Sequence, residues 1–419
     1  MIEIQPLEKV SATVRVAGSK SHTHRLLIAA GLSGGECSVL DPLRSEDTAL
    51  TLNALKKFGV KVREGDGAIH LAGTGGRLRA GGEIFLGNSG TSMRLLTAVA
   101  ALADGPTVLD GTPRMRERPV GELLEALTEL GVNARSVRGN NCPPVVLDGG
   151  PPVGGPVHIR CGVSSQYLSG LLLMAPCLRD GLDIRVTEAP VSRPYIDMTV
   201  AIMEGFGVRV ERDGYSRFVA SGGQRYRPGV YRVAPDVSNA SYFWAAAAIT
   251  GGTATVRDTA AETLQGDIRL LNHFQAMGCQ VERTEAGIAL TGGPLRAVDV
   301  DMGDIPDMVP TLAVVAAFAE GTTVIRNVAH LRAKECDRLD AVATELGKMG
   351  IQAETGPDSL RVAGGPAHGA DIHTYDDHRI AMSFAVAGLR VPGVRILDEH
   401  CVGKSFPGFW DVFRELYPA

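Results

Sequence analysis

One short ending recurs five times along this chain: Leu55-Lys56-Lys57-Phe58-Gly59-Val60, Leu127-Thr128-Glu129-Leu130-Gly131-Val132, Met203-Glu204-Gly205-Phe206-Gly207-Val208, Phe274-Gln275-Ala276-Met277-Gly278-Cys279 and Leu346-Gly347-Lys348-Met349-Gly350-Ile351. The glycines at 59, 131, 207, 278 and 350 step by 72, 76, 71 and 72 residues. A second mark keeps the same beat, a glycine turn opening an apolar or β-branched run. It falls at Gly35, Gly105, Gly181, Gly252, Gly321 and Gly393, in steps of 70, 76, 71, 69 and 72. A fixed period of this size decides architecture before any motif does, because each unit must bury its apolar face against the next. The chain is therefore six copies of one unit of about 70 residues.

Within a unit the pattern reads helix, strand, turn-rich crossing, helix, strand, strand. In the second copy, Thr91–Ala103 has helical apolar spacing and Val108-Leu109 continues as a strand. Val120–Leu130 is an amphipathic helix that Gly131 ends as its C′ residue. Residues 132–137 and 145–147 then alternate as strands. Such alternation implies sheets with helices packed on them, an α/β class. Six units can close as two groups of three. A break at Ala234-Pro235-Asp236 and a leading strand-like segment over residues 1–17 favour this grouping. The expected domains are 18–234, and 1–17 plus 235–419, joined by a two-strand hinge with a cleft between them.

Bulk composition narrows function. Hydrophobic content of 44% and charge of 21% fit a globular protein rather than a disordered one. A net charge of −5 and aromatics at 5% argue against a nucleic-acid surface and its base-stacking platforms. The seven cysteines are scattered with no CxxC pair, the pattern of reduced thiols. No N-terminal apolar h-region and no membrane-length apolar stretch is present, so a soluble, bacterial cytoplasmic location is expected.

Chemistry collects at one point of the unit, the start of its first helix. The six starts are Ser19-Lys20-Ser21, Asn88-Ser89-Gly90-Thr91, Ser164-Ser165-Gln166, Ser238-Asn239, Asp307 and Asp377-His378-Arg379. Residues of these types cap helices, and capping alone would explain any one of them. As a set, with Lys20, Arg25, Arg94 and Arg379 within a turn, they describe helix ends that bind anions. Further cations lie on the crossings, in Pro113–Pro119, His330–Arg338 and Lys404–Pro407. Taken singly such runs are solvated loops, but recurrence at one position suits a ligand rich in phosphate and carboxylate. Other motifs fail. Gly18-Ser19-Lys20-Ser21 lacks P-loop spacing, and Gly73-Thr74-Gly75-Gly76 lacks the third glycine of a dinucleotide fingerprint. His22 and His24 have no partner ligands at metal spacing, and no Gly-x-Ser-x-Gly elbow occurs, so neither a metal nor a serine nucleophile is expected.

Nearly end to end, these motifs resemble the EPSP synthase (3-phosphoshikimate 1-carboxyvinyltransferase) family of enolpyruvyl transferases. The likeness is carried by Gly18–Arg25, Leu86–Thr91, Pro113–Pro119, Ser164–Gln166, Ser192–Asp197, Ile305–Asp307, Arg332–Arg338, Asp377–Arg379 and Lys404–Pro407. It implies two inside-out α/β domains, each of three βαβαββ repeats. It also implies transfer of the enolpyruvyl group of phosphoenolpyruvate to the 5-hydroxyl of shikimate 3-phosphate, with loss of phosphate, through a tetrahedral intermediate. No metal or organic cofactor is implied, and the family's usual form is a monomer. Glyphosate, which occupies the phosphoenolpyruvate site of the family, is an expected inhibitor.

By this resemblance shikimate 3-phosphate is held by Lys20, Ser21, Arg25, Ser164, Ser165, Gln166, Ser192, Tyr195, Asp307 and Lys334. Phosphoenolpyruvate is held by Lys20, Gly90, Arg118, Gln166, Arg338, Arg379 and Lys404. Asp307 is the expected base and Glu335 the expected acid, with Lys20 competing for the acid role and an ion pair to Lys334 or Arg338 the plain alternative for Glu335. His330 stands where many relatives have Asn, Leu95 where several have Pro, and Ser89 where Ala is common. Three rival readings are the sister enzyme acting on UDP-N-acetylglucosamine, an RNA 3′-terminal phosphate cyclase, and a non-enzymatic repeat scaffold. The first would carry a reactive Cys on the loop over 112–120, which has none; the second needs a basic RNA surface. The scaffold leaves the clustered Lys, Arg and Asp unexplained.

Overall fold

The five glycine endings of the sequence become one structural device. In the computed structural model, which describes every residue except Asp66, Ala261 and Ala419, the helices in chain order are α1 (Lys20–Leu32), α2 (Glu46–Lys57), α3 (Gly90–Ala100), α4 (Gly121–Glu129), α5 (Gln166–Met174), α6 (Pro194–Gly205), α7 (Val237–Thr250), α8 (Leu270–Ala276), α9 (Val309–Ala316), α10 (Arg338–Lys348), α11 (His378–Gly388) and α12 (Phe409–Arg414). Gly59, Gly131, Gly207, Gly278 and Gly350 follow α2, α4, α6, α8 and α10, each with φ between 82° and 112°, a conformation that only glycine adopts without strain. At each of these ends two hydrogen bonds close a Schellman motif. In the first, Gly59 N donates to Lys56 O and Val60 N to Leu55 O; in the last, Gly350 N donates to Gly347 O and Ile351 N to Leu346 O. The residue after each glycine is buried, as is its apolar partner three places inside the helix, which explains why the motif is apolar at both ends.

The odd-numbered helices through α11 differ from the even ones in pattern and place. Every residue of α3 and α11, and all of α7 but Thr250, is buried. A helix apolar all round can only lie inside. Within one unit α3 packs on α5 and α1, and within the other α7, α9 and α11 pack on one another. The sheets lie outside these helices. Close helix approach rests on small residues: a Cβ on Gly170 of α5 would stand 3.0 Å from Ala98 Cβ of α3.

Each repeat adds a short strand ahead of its first helix, completing βαβαββ. In the second copy Gly82–Phe85 runs parallel to Thr107–Asp110, which pairs antiparallel with Val145–Leu147, itself antiparallel to Ala134–Ser136. Five sheets are four-stranded and one is three-stranded among the described residues. Two leading strands are exchanged. Glu36–Leu40 of the first repeat takes Gly229–Arg232 as its parallel partner, from the far end of the third repeat. Thr253–Arg257 of the fourth takes Ser11–Val14, and Ile2–Glu3 joins Arg395–Ile396 of the sixth. The chain accordingly divides into two compact units, Gly18–Ala234, and Met1–Ala17 with Pro235–Ala419. Each has its own apolar core. Among the described residues no helix is long and apolar enough to cross a membrane.

Two helix starts differ from expectation. Asp236, not Ser238-Asn239, caps α7, its carboxylate accepting from Asn239 N; Ser238 lies inside the first turn and donates to Asp267 instead. Asp307 caps nothing; it sits in a 3-10 turn, Pro306–Met308, ahead of α9.

Candidate active site

In the unit Gly18–Ala234 four cations are buried around the starts of the inner helices. Ser19 caps α1, which leaves Lys20 to enter the first turn and meet the buried Asp47 carboxylate at 3.1 Å. Arg25, one turn on, is wholly enclosed. Its Nε donates to Thr199 Oγ1 (2.7 Å), one Nη to Ser21 O and the other to Ser169 Oγ, while Tyr195 lies under the guanidinium. Burial lowers its pKa to about 10, still cationic at neutral pH. Arg25 thus ties α1 to α5 and α6 and sets the positions of Ser21 and Tyr195.

The start of α3 is shaped by Arg118. This buried guanidinium donates to both oxygens of Asn88, 2.9 and 3.0 Å away, and lies against Gly90. Any Cβ on Gly90 would come within 2.8 Å of Arg118 Cζ, so a side chain here would displace the guanidinium. Arg94 Nη1 donates to Gln166 Oε1 (3.1 Å) and Gln166 Nε2 to Thr91 Oγ1 (3.0 Å), which orients the first residue of α5. Ser164 Oγ accepts from Gln166 N, and Ser164, Ser165 and Ser192 are all buried. Ser192 has φ 54°, a left-handed conformation costing on the order of 1–3 kcal/mol in a non-glycine residue. Such strain held next to Tyr195 is typical of ligand clamps.

In the unit that holds Pro235–Ala419 the centre is Asp307. Its Oδ1 accepts from Arg338 (2.9 Å) with Lys334 Nζ at 3.5 Å, and its Oδ2 accepts from Arg379 (2.7 Å). Arg338 also donates through Nε to Asp377 (2.7 Å) and through Nη2 to Glu335 (2.8 Å). Lys404 stands 3.9 Å from Glu335, and Asp377 also caps α11 through Arg379 N. The Asp307 carboxyl is pushed up by burial, but Arg379, Lys334 and Arg338 outweigh that and hold it well below the usual carboxylate range. The Arg338 guanidinium, disfavoured by burial, is held charged by Asp377, Glu335 and Asp307. His330, on the 3-10 turn Ala329–Ala333, is lowered to about 4, chiefly by burial and then by Lys334.

Some sequence signals prove to be surface structure. Arg114 pairs with Glu117 and Arg116 with Asp110, so Arg118 is the one buried cation of the Pro113–Pro119 run. Arg332 is spent on Asp337 and Asp340. Other residues escaped the sequence reading. Asp47 looks like an ordinary first-turn acid, since Ser45 caps α2, and Asn88 and Thr91 read as caps. In sequence Arg94 is only a cation near a helix start, and its hold on Gln166 appears with the fold.

A chain of such repeats has the fold of solved enolpyruvyl transferases. The chain matches the enolpyruvyl transferase NikO from Streptomyces tendae in fold, with a TM-score of 0.78 at 20% identity over 99% of this chain and 96% of that one. Its TM-score to an EPSP synthase from Acinetobacter baumannii is 0.81 at 29% identity, over 99% and 97%. Residues 4–413 match the family model for EPSP synthase (3-phosphoshikimate 1-carboxyvinyltransferase). The 3-phosphoshikimate 1-carboxyvinyltransferase of Syntrophobacter fumaroxidans is 44% identical over 99% of each chain. The chloroplastic one of Petunia hybrida is 43% identical over 99% of this chain and 84% of its own. The chain belongs to the EPSP synthase family.

Proposed function

We propose that this chain transfers the enolpyruvyl group of phosphoenolpyruvate to the 5-hydroxyl of shikimate 3-phosphate and releases phosphate. The observation that carries the reading is a gathering of enclosed cations near the starts of the inner helices. Lys20, Arg25, Arg94 and Arg118 are buried in one unit, and Arg338, Arg379 and Lys404 are buried in the other, with Lys334 beside the Asp307 carboxylate. Two substrates that together bring two phosphates and two carboxylates need fixed cations to offset their repulsion.

Lys20, Ser21, Arg25, Ser164, Ser165, Gln166, Ser192 and Tyr195 bind shikimate 3-phosphate, with Asp307 and Lys334 at its reacting hydroxyl. Lys20, the Gly90 backbone, Arg118, Gln166, Arg338, Arg379 and Lys404 bind phosphoenolpyruvate. In the addition step Asp307 takes the proton of the 5-hydroxyl as its oxygen bonds to C2 of phosphoenolpyruvate, and an acid protonates C3 to a methyl group. In the elimination the methyl loses a proton, phosphate departs and the double bond returns. We place Glu335 as the acid, with Lys20 the second candidate. Both need release from a partner first, Arg338 for Glu335 and Asp47 for Lys20.

Phosphate release from phosphoenolpyruvate with shikimate 3-phosphate as acceptor tests the reading. Turnover with UDP-N-acetylglucosamine instead, and none with shikimate 3-phosphate, overturns it. Asp307→Ala should abolish turnover while leaving the circular dichroism spectrum unchanged; near-wild-type rates would remove Asp307 as the base. Glyphosate should compete with phosphoenolpyruvate, and a lack of inhibition at millimolar concentration would refute that part.

A further inference from the structure

The unit Gly18–Ala234 has a second basic site at the opposite end of its inner helices. Lys20, Gly90 and Gln166 open α1, α3 and α5. Where these helices finish, a cavity of about 720 Å³ is lined by Leu32, Leu102 and Pro176, a volume typical of small-molecule sites. Its walls carry Arg77, Arg79, Arg179 and Arg225 against one acid, Asp104. On a chain of net charge −5, this local balance calls for an explanation.

Three of the arginines come from a recurring glycine motif, the first copy of which no dinucleotide fingerprint accounts for. Gly75-Gly76-Arg77-Leu78-Arg79 follows the last strand of the first repeat, and Gly222-Gly223-Gln224-Arg225-Tyr226-Arg227 follows that of the third. In the second repeat the same place reads Gly149-Gly150-Pro151-Pro152 and contributes Pro151. Gly76 has φ 80° and lies so near Cys177 that a Cβ would meet Sγ at 2.8 Å, which fixes this loop in the cavity wall. Burial raises the Cys177 thiol to about 12, so it offers packing and not a nucleophile.

Two ordinary explanations are open to such arginines. While the exposed Arg63 and Arg138 take part in no ion pair among the described residues, several exposed arginines on this unit take carboxylate partners, as Arg135, Arg160, Arg217 and Arg232 do with Asp148, Glu125, Asp183 and Asp41. Arg179 follows that habit with Asp180. Among the described residues Arg77, Arg79 and Arg225 take part in no ion pair, and Asp104 is engaged with Ala80 N. Arginine could instead cap helix C-termini. Here that task is done by backbone amides: Thr74 N donates to Gly31 O, Gly75 N to Ser33 O, Gly150 N to Ala103 O and Leu178 N to Ala175 O. What remains is three uncompensated guanidinium groups around a floor of Leu32, Leu78, Leu102, Leu178 and Tyr226.

We propose that this cavity binds an organic dianion, an apolar body bearing a phosphomonoester or a pair of carboxylates, through Arg77, Arg79 and Arg225. Guanidinium groups grip either acid bidentately, and the apolar floor takes the body of the ligand. The site is distinct in place and residues from the substrate-binding set.

Calorimetric titration of the full chain with phenyl phosphate, and in a second arm with phthalate, tests the proposal and tells the two acid types apart. Binding by at least one probe should persist in Lys20→Met/Arg118→Met and weaken at least about tenfold in Arg77→Ser/Arg225→Ser. It should also weaken as ionic strength rises from about 0.05 to about 0.25 M. Arg77→Ser/Arg225→Ser should keep wild-type turnover, which shows that it is folded. Arg225→Lys, which keeps charge but loses the planar fork, should bind with intermediate affinity. The proposal is overturned if neither probe binds, if Arg77→Ser/Arg225→Ser binds as the wild type does, or if binding disappears in Lys20→Met/Arg118→Met alone.

Discussion

Replacing Gly90 with Ala would separate the placement of Arg118 from everything else at the start of α3. The new Cβ would overlap Arg118 Nη2 and lie 2.8 Å from Cζ and 3.1 Å from Nη1, where non-bonded atoms normally keep about 3.5–4.0 Å. The helix backbone is locked by its Ser89 cap, so the flexible guanidinium must give way by roughly 1 Å. Its bonds to Asn88, at 2.9 and 3.0 Å, would then stretch past hydrogen-bonding range. On the proposed role of Arg118 toward phosphoenolpyruvate, a charged donor contributes about 1.5–3 kcal/mol, so KM for phosphoenolpyruvate should rise roughly 10- to 150-fold. The chemical groups stay in place, so kcat should change far less. Global stability should hardly move, because Ala suits a helix better than Gly by about 1 kcal/mol, which offsets local strain. Steady-state kinetics with varied phosphoenolpyruvate read the result, and glyphosate inhibition should weaken in parallel. A KM within about twofold of wild type would refute the claim that Arg118 is positioned by the absence of a side chain at 90.

The buried imidazoles make stability sensitive to acid. His22 and His330 are both lowered to about 4, mainly by burial, with Arg25 and Lys334 the next causes. Between pH 6.5 and 4 the unfolded chain takes up protons that the native chain refuses, so stability present above pH 6.5 is lost as pH falls, by up to roughly 3 kcal/mol per group. His330→Asn should therefore reduce the drop in urea midpoint between about pH 6.5 and 4.5; an unchanged drop would count against it. Asp267 has the opposite slope. Burial and then the Asp307 charge raise it to about 6, so the native state holds its proton while the unfolded carboxyl ionises above about 3.8, and stability is lost as pH rises to 6. Asp267→Asn should raise the urea midpoint at about pH 7.5 and leave it nearly unchanged at about pH 4; a loss at both would show that its ionised form supports the fold.

How far the sequence discloses this fold depends on the range of the interaction. The Schellman endings are local, so the apolar-Gly-apolar signature at Leu55–Val60 or Leu346–Ile351 locates helix ends directly. Lys20, Gly90, Gln166 and Arg379 stand out because they are polar or minimal residues leading into helices that are otherwise apolar. The exchange of leading strands is invisible in any window, since Gly229–Arg232 pairs with residues nearly half the chain away and its own pattern merely says strand. Charge runs mislead for a related reason. Arg114, Arg116, Arg118 and Arg332 are alike in sequence, and only the fold decides that Arg118 is enclosed while the others meet surface carboxylates. Asp47 was missed because a first-turn acid already has a sufficient local reason, the helix dipole.

The Asp307 cluster carries a condition on the chemistry. A carboxylate that accepts from Arg338 and Arg379, with Lys334 near, is a feeble base, because each cation favours the ionised form. Those cations are also the ones assigned to the substrates. A phosphate or carboxylate that binds Arg379 and Arg338 competes with Asp307 for their protons and cancels part of their field. On the proposed roles, Asp307 gains basicity in the step that brings the hydroxyl within reach. Arg338 still keeps Nε on Asp377 and can turn its Nη atoms to a ligand without losing its anchor. Asp377, fully buried and caught between Arg338 and the first turn of α11, is thus the fixed charge about which the cluster can rearrange. Removing it would take the partner from Arg338 Nε in the interior and leave the guanidinium only Glu335 and Asp307, at a cost of up to about 3–5 kcal/mol.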